Sequence, residues 1–207
     1  MKTLAIVGAS GHGKVVADAA LSNGLWDDVV FYDDAWPAKT RNGNSAVVGN
    51  TQSLFDLPQK PEVIVAIGNN KIRLAKQREL VNAGFTLATV VHLTAVVSRS
   101  AIIKAGTVVM AGAVINADAV VGAACIVNSN AVVEHDCILA DGVHISPGAG
   151  LAGGVLVGES SWVGIGASVI QLKRIGKNVM VGAGAAVVND LPDGVTAVGV
   201  PAKIIKL

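Results

Sequence analysis

One histidine in the second half of the chain stands between two acids, in the run VVEHDC at residues 132–137. A carboxylate that accepts a hydrogen bond from one imidazole nitrogen raises the basicity of the other, so either Glu134 or Asp136 equips His135 to act as a general base. The alternative is an ordinary surface histidine whose neighbouring acids face water. The nearby Asn128 and Asn130 add polar groups that favour the catalytic interpretation.

A second group of candidate residues lies in the first seventy positions. It comprises the glycine-rich run GASGHG at 8–13, the acid pair Asp33-Asp34, and the run GNN at 68–70. A glycine turn lets backbone amides and a helix N-terminus approach a phosphate, and an acid accepts hydrogen bonds from ribose or base donors. The alternative is a packing turn beside a solvated acid pair. The spacing G-x-x-G-x-G also departs from the dinucleotide fingerprint G-x-G-x-x-G, which disfavours an NAD-dependent enzyme.

The elements that hold this second group alternate between strand and helix. The hydrophobic pattern predicts strands at 3–7, 29–32, 62–67 and 86–91, and helices at 14–22, from 51, and at 72–82 with Gly84 near the last C-cap. Such alternation predicts a small Rossmann-like parallel α/β domain over residues 1–90. Ligands of parallel sheets bind beyond the carboxyl ends of the strands, so the three groups should meet there.

His135 lies in a different kind of segment, which repeats every six residues. Aliphatic side chains occupy seventeen consecutive positions from Val91 to Val187 in steps of six, without an insertion. The fifth position of each hexapeptide is small or medium, apart from Lys173, and the second position is often glycine, which we expect at corners of positive φ. A period this short is typical of a solenoid, here a triangular prism with eighteen residues in each coil. A helix, a membrane span and a β-sandwich fit the pattern less well.

The coil length places residues around His135. The neighbours eighteen residues away are Ala117 and Gly153, and such small residues would leave a pocket around the imidazole. His144 follows His135 by nine residues, or half a coil, so the two histidines should lie on opposite sides of one prism. A second subunit could bring its His144 towards His135, and a cyclic trimer closes such a ring of contacts simply.

Composition limits the kinds of ligand and the cellular location that we expect for this protein. A net charge of +1 and an aromatic content of 3% disfavour a nucleic-acid groove. Cys125 and Cys137 both occupy fifth positions, so we expect two buried, unpaired thiols and a cytoplasmic protein. The first residues, MKTLAIVGASGHG, are better explained as a strand than as a signal peptide.

The hexapeptide array and the final GVPAK at 199–203 resemble the hexapeptide acyltransferases, whose fold is a left-handed parallel β-helix. With GASGHG, Asp33-Asp34, AIGNN at 66–70, VVEHDC and His144, the whole chain resembles a narrower group: sugar acetyltransferases of the sialic acid O-acetyltransferase-like family. These carry a nucleotide-sugar-binding domain before the β-helix. The resemblance implies a division into residues 1–90 and 91–207.

The same resemblance assigns roles to individual positions. His135 matches the catalytic base, and Asp136 matches the acid that polarises it. The positions matching acetyl-CoA contacts are His144, Gly153, Ile165 and Ala183, the last of which is glycine in some relatives. The positions matching the UDP-sugar site are Gly11, His12, Gly13, Asp33, Asp34 and Gly68.

The function implied is direct, metal-independent transfer of acetyl from acetyl-CoA to the 4-amino group of a UDP-linked 4-amino-4,6-dideoxy sugar, such as the precursor of bacillosamine, for bacterial glycan biosynthesis. We expect a homotrimer with sites between subunits and no membrane insertion. Cys137 should face inward and form no acyl-enzyme. The alternatives are a sialic acid-type O-acetyltransferase, an N-acetyltransferase for GDP- or dTDP-amino sugars, a non-catalytic assembly module, and a β-helix carbonic anhydrase with zinc held by three histidines.

Overall fold

The computed structural model describes residues 2–206, and the first part of it is a five-stranded sheet with three helices. Strands β1, β2, β4 and β5 run parallel, β3 is antiparallel to β4, and the order is β3-β4-β2-β1-β5. The elements are β1 (Thr3–Val7), α1 (Gly11–Ser22), β2 (Asp28–Tyr32), β3 (Arg41–Asn42), β4 (Ser45–Gly49), α2 (Thr51–Phe55), β5 (Val63–Val65) and α3 (Asn70–Asn82).

These elements agree with most of the predicted ones, and the main differences concern two helix starts, one hairpin and one strand. Helices α1 and α3 begin at Gly11 and Asn70, earlier than predicted; the Asn69 side chain accepts from the Ile72 amide and caps α3. The β3–β4 hairpin was not predicted, although Asn42-Gly43 is a hairpin signal and Gly43 has a φ of +61°. The predicted strand 86–91 is wrong in its first part, which forms only one bridge, between Leu87 and Val63.

From residue 90 onwards the chain winds into a parallel β-helix with three faces. Face 1 consists of Val90–Val91, Val108–Val109, Ile126–Val127, His144–Ile145, Trp162–Val163, Met180–Val181, Thr196–Val198 and Lys203–Lys206. Face 2 consists of Val96–Val97, Val114–Ile115, Val132–Val133, Gly150–Leu151, Ser168–Val169 and Ala186–Val187. Face 3 consists of Ile102–Ile103, Val120–Val121, Ile138–Leu139, Leu156–Val157 and Arg174–Ile175. Strand partners lie eighteen residues apart on faces 2 and 3 and along most of face 1, as the repeat predicts; Val114 pairs with Val132, for example. At the end of face 1 the spacing changes, because Met180 pairs with Thr196 and Lys203–Lys206 runs antiparallel to Thr196–Val198.

The inside of the prism is filled by the first and fifth residues of the hexapeptides. These side chains form one buried cluster that runs from Val109 to Ala197. Cys125 and Cys137 belong to it and are both free thiols, which confirms that they are small inward residues and not a disulfide. Burial raises the pKa of the Cys125 thiol to about 12 and also raises the pKa of Cys137, so neither is suited to be a nucleophile.

The glycines at second positions do not have the conformation that we expected. The left-handed residues are at the fourth positions instead, whether glycine, such as Gly142 (φ +72°), or not, such as Asp136 (φ +61°). The second-position glycines are needed because the next coil passes too close for a side chain. A Cβ on Gly122 would lie 2.6 Å from the carbonyl carbon of Ala140, and one on Gly158 would lie 2.5 Å from that of Gly176.

The α/β part packs against face 1. The outward side chains Val108 and Ile126 share a buried cluster with Leu4 of β1 and Val16 of α1. This contact fixes the nucleotide-site candidates relative to the coils. The division of the chain at residues 90 and 91 stays a prediction. Across residues 2–206, no helix has the length and apolar character that crossing a membrane requires.

Candidate active site

His135 lies at the corner where the chain passes from face 2 to face 3. It follows Val132–Val133 and precedes Ile138–Leu139, and its side chain is 62% exposed. Hydrogen bonds between coils hold the turn: the Asp136 amide donates to the Ala117 carbonyl at 3.1 Å, and the Gly154 amide donates to the His135 carbonyl at 2.9 Å. The imidazole therefore stands on a rigid corner and faces outward, as its position in the hexapeptide predicts.

The repeat predicts open space next to His135 at Gly153, and the imidazole of His135 occupies that space. A Cβ on Gly153 would lie 2.5 Å from Cε1 and 2.6 Å from Nε2 of His135. Any side chain at this position would collide with the ring. Gly153 thus makes room for the imidazole against the next coil.

Of the two acids beside His135, Asp136 is the one that contacts the ring. The Nδ1–H of His135 donates to Oδ2 of Asp136 at 2.7 Å, whereas Glu134 accepts only from the His135 backbone amide, at 3.4 Å. The hydrogen bond to Asp136 raises the pKa of His135. It also assigns the proton of the neutral ring to Nδ1 and leaves a lone pair on Nε2.

His144 lies on face 1, away from the corner that carries His135, as the half-coil spacing predicts. It is buried at 7% exposure and stacks on Trp162, with ring centroids 4.8 Å apart. Its Nε2 accepts from the Asn128 amide at 3.1 Å, and its Nδ1 is buried without a protein partner. Burial, followed by the charges of Arg73 and His12, lowers the pKa of His144 to about 3, so the ring is neutral. Asn128, which the sequence suggests as a polar neighbour of His135, therefore hydrogen-bonds to His144 instead.

The carboxyl ends of the strands in the α/β part surround a cavity of about 260 Å³. Among the predicted nucleotide-site residues, Asp33, Asp34 and Gly68 line it. Gly8 and Ser10 of the predicted glycine-rich run and Ile67 of AIGNN line it as well, and the structure adds three residues that the sequence analysis did not single out: Val7, Tyr32 and Thr51. These positions follow or end strands, so the predicted strand ends were the available signal for them.

The three predicted residues of the glycine turn separate in the structure. Gly11 is exposed with open space around its Cα, and Gly13 is buried where a Cβ would lie too close to the Gly8 carbonyl. His12 does not line the cavity; it lies close enough to His144 of face 1 to affect the pKa of that ring, and its own Nε2 is buried without a protein partner. Burial, followed by the charge of Arg73, lowers the pKa of His12 to about 4.

Asp33 and Asp34 hold the backbone of the cavity wall in place by hydrogen bonds. Asp33 accepts from the amides of Ala9 at 2.6 Å and Ala35 at 3.0 Å. Asp34 accepts from the Thr51 amide at 3.0 Å, and this bond lowers the pKa of Asp34. At the start of α1, Ser10 makes no side-chain cap, so the amides of the first turn remain available to an anion.

The remaining coenzyme candidates lie at two different corners. Gly153 shares the face 2–face 3 corner with His135, whereas Ile165 and Ala183 are exposed at the corner between face 1 and face 2. One chain therefore does not bring all of them to a single groove. Within residues 2–206, the His, Cys, Asp and Glu side chains form no group of three or more that is arranged to hold a metal ion.

Comparison with known proteins shows what this arrangement is similar to. The family described as PglD N-terminal domain matches residues 3–80. The acetyltransferase domain of PglB from Neisseria gonorrhoeae superposes with a TM-score of 0.95 at 43% identity, over 99% of this chain and 100% of that one. The same domain has been solved in complex with acetyl coenzyme A. These likenesses confirm the predicted fold class, a small α/β domain followed by a left-handed β-helix.

Two further likenesses bear on the ligands. PerB from Caulobacter crescentus, solved with CoA and GDP-perosamine, superposes with a TM-score of 0.93 at 41% identity, over 99% of this chain and 97% of that one. UDP-N-acetylbacillosamine N-acetyltransferase from Bacillus subtilis is 44% identical over 107 residues, which are 50% of this chain and 49% of that protein. The chain spans about a quarter to a half of the length of the curated relatives that it matches.

Proposed function

Because this chain belongs to the family of hexapeptide-repeat sugar N-acetyltransferases, we propose that it transfers acetyl from acetyl-CoA to the 4-amino group of a nucleotide-linked 4-amino-4,6-dideoxy sugar. The observation that carries the proposal is the 2.7 Å contact between His135 and Asp136 at an exposed corner. This pair offers a basic Nε2 to a substrate outside the prism, and no other histidine of residues 2–206 is both exposed and paired with a carboxylate.

In the proposed reaction, Nε2 of His135 removes a proton from the sugar amine as the nitrogen attacks the thioester carbonyl. The new C–N bond forms, the C–S bond breaks, and the proton held by His135 passes to the departing CoA thiolate. Asp136 holds the ring tautomer and stabilises the imidazolium. General-base catalysis of this kind contributes roughly 10²- to 10⁴-fold, and the positioning of both substrates contributes much of the rest. The buried position and raised pKa of Cys137 support direct transfer without an acyl-enzyme.

The nucleotide sugar is proposed to bind in the 260 Å³ cavity of the α/β part. The free amides at the start of α1 suit its phosphates, and Asp33 and Asp34 retain lone pairs for ribose or base donors. A UDP-linked sugar is the first candidate, given the likeness to the bacillosamine enzyme. A GDP-linked sugar is the second, because the likeness to PerB covers nearly the whole chain.

The site is proposed to form between subunits of a cyclic homotrimer. His135 and Gly153 lie at one corner, and His144, Ile165 and Ala183 lie on face 1 or at its other corner, so a neighbouring subunit must supply the second set. Exposed aliphatic side chains on face 3, Ile102, Ile138 and Leu156, support association through the coils.

The experiment that tests the function is a panel of UDP-, GDP- and dTDP-4-amino sugars and sialic acid, each assayed with acetyl-CoA by detection of the released thiol. We expect turnover with one of the amino sugars, UDP-linked before GDP-linked, and none with sialic acid. His135→Ala should bind the same sugar and lose about 10²- to 10⁴-fold in kcat. Turnover of sialic acid alone, or an unchanged rate for His135→Ala, would contradict the proposal.

A further inference from the structure

Helix α3 lies along the corner between face 3 and face 1 and makes one set of polar contacts for each coil. Three side chains at i, i+3 and i+7 form this contact row: Asn70, Arg73 and Gln77. They donate to backbone carbonyls of four successive corner turns, namely Ala105 from Gln77, Ala124 and Gly142 from Arg73, and Ser160 and Ser161 from Asn70. The spacing of these three side chains along the helix therefore matches the spacing of the coils, and their hydrogen bonds fix the α/β part against the prism.

Arg73 is the centre of this row, and it is 1% exposed. All five of its N–H groups are satisfied. Nε donates to Ala124 at 2.7 Å, and one terminal nitrogen donates to Gly142 and to the Asn70 side chain, both at 2.9 Å. The other terminal nitrogen donates to the carbonyls of Ile67 at 2.9 Å and Gly68 at 3.2 Å.

The last two bonds reach the wall of the nucleotide cavity. Ile67 and Gly68 follow β5 and line that cavity. No carboxylate is among the hydrogen-bond partners of Arg73, and burial lowers its pKa to about 10, so its charge is balanced by carbonyl dipoles alone. A guanidinium is the side chain whose planar fork can hold two coil carbonyls and two loop carbonyls at once.

We propose that Arg73 is a positioning residue for the nucleotide-sugar site: it ties the Ile67–Gly68 wall of the cavity to the β-helix and so sets the shape of the pocket. The inference rests on the proposed function, since it assumes that this cavity takes the nucleotide. Arg73 itself touches neither the sugar nor the reacting atoms.

The test compares Arg73→Lys and Arg73→Met with Gln77→Ala. Gln77 belongs to the same row and holds one coil carbonyl, at 2.9 Å, but has no bond to the cavity wall. Affinities for UDP, GDP and acetyl-CoA are measured by titration calorimetry, and the melting temperature is followed for each variant. We expect Arg73→Lys to weaken binding of the preferred nucleotide by about tenfold, since a lysine has three donors for four backbone carbonyls. Arg73→Met should weaken it further, with acetyl-CoA affinity unchanged, and Gln77→Ala should bind both ligands as the wild type does.

Three outcomes would overturn the proposal. The first is wild-type nucleotide affinity in both Arg73 variants. The second is equal loss of acetyl-CoA and nucleotide binding in Arg73→Lys, because the residue would then hold the whole fold and not the pocket. The third is the same nucleotide loss in Gln77→Ala. Failure of the wild-type protein to bind UDP or GDP would instead refute the proposed function, and the role of Arg73 with it.

Discussion

The replacement of Gly153 by alanine should impair catalysis through His135 and leave the fold intact. The added Cβ would lie 2.5 Å from Cε1 of His135, whereas ordinary contacts begin at 3.4 Å, so the imidazole must move by about 0.9 Å. The backbone of Gly153 is not left-handed, so alanine adds no strain of its own. The exposed imidazole yields more easily than the coil, because the coil is held by hydrogen bonds on both sides.

A displacement of this size at the proposed general base is expected to lower kcat on the order of 10²-fold. The assay is thiol release at saturating acetyl-CoA, together with calorimetric affinity for the coenzyme. Gly150→Ala is the matched control: it lies in the same coil, and a Cβ there has nothing within 4 Å. We expect Gly150→Ala to keep wild-type turnover and both variants to melt near the wild-type temperature.

A double-mutant cycle separates the imidazole from the coenzyme as the cause. In a His135→Ala background the clash is gone, so Gly153→Ala should have no further effect on turnover. Equal losses from Gly153→Ala in both backgrounds would refute the steric argument. A loss of acetyl-CoA affinity in both backgrounds would show that Gly153 acts on the coenzyme.

Two further predictions concern the same site. Asp136→Asn removes the charge that raises the pKa of His135. The acidic limb of the kcat/KM profile should therefore move to lower pH, and its plateau should fall. A pH–rate profile identical to that of the wild type would contradict the role of Asp136. His135→Ala and His144→Ala subunits refolded together in equal amounts should recover about a quarter of the wild-type activity, since a quarter of the interfaces in a random cyclic trimer join two intact halves. Activity no higher than that of either parent would argue against a site shared between subunits.

The repeat made most of the β-helix predictable. Inward positions such as Val121 and Cys125 are set by a period that depends on strand geometry alone, and the same period placed Gly153 beside His135. It did not reveal why the second-position glycines are needed. Their reason is the distance between neighbouring coils, which appears only when the coils are stacked.

The α/β part shows the limit of local patterns more clearly. Strand ends at Gly8, Asp33 and Gly68 were predictable, and they do line one cavity. The direction of His12 was not, because it depends on the packing of α1 against face 1. The partner of Asn128 was not predictable either: Asn128 hydrogen-bonds to His144, sixteen residues away, and not to His135, which is nearer in the sequence.

The sequence by itself determined the solenoid, the exposed His135–Asp136 candidate and the separation of His144 by half a coil, because each follows from counting along a fixed repeat. Only the tertiary structure decided that Asp136 and not Glu134 contacts the ring, and that the half-buried His12 and the buried His144 are neutral. It also decided that Arg73 joins the wall of the α/β cavity to the coils. Those features depend on contacts between segments far apart in the chain. Arg73 and Gly142, for instance, are 69 residues apart.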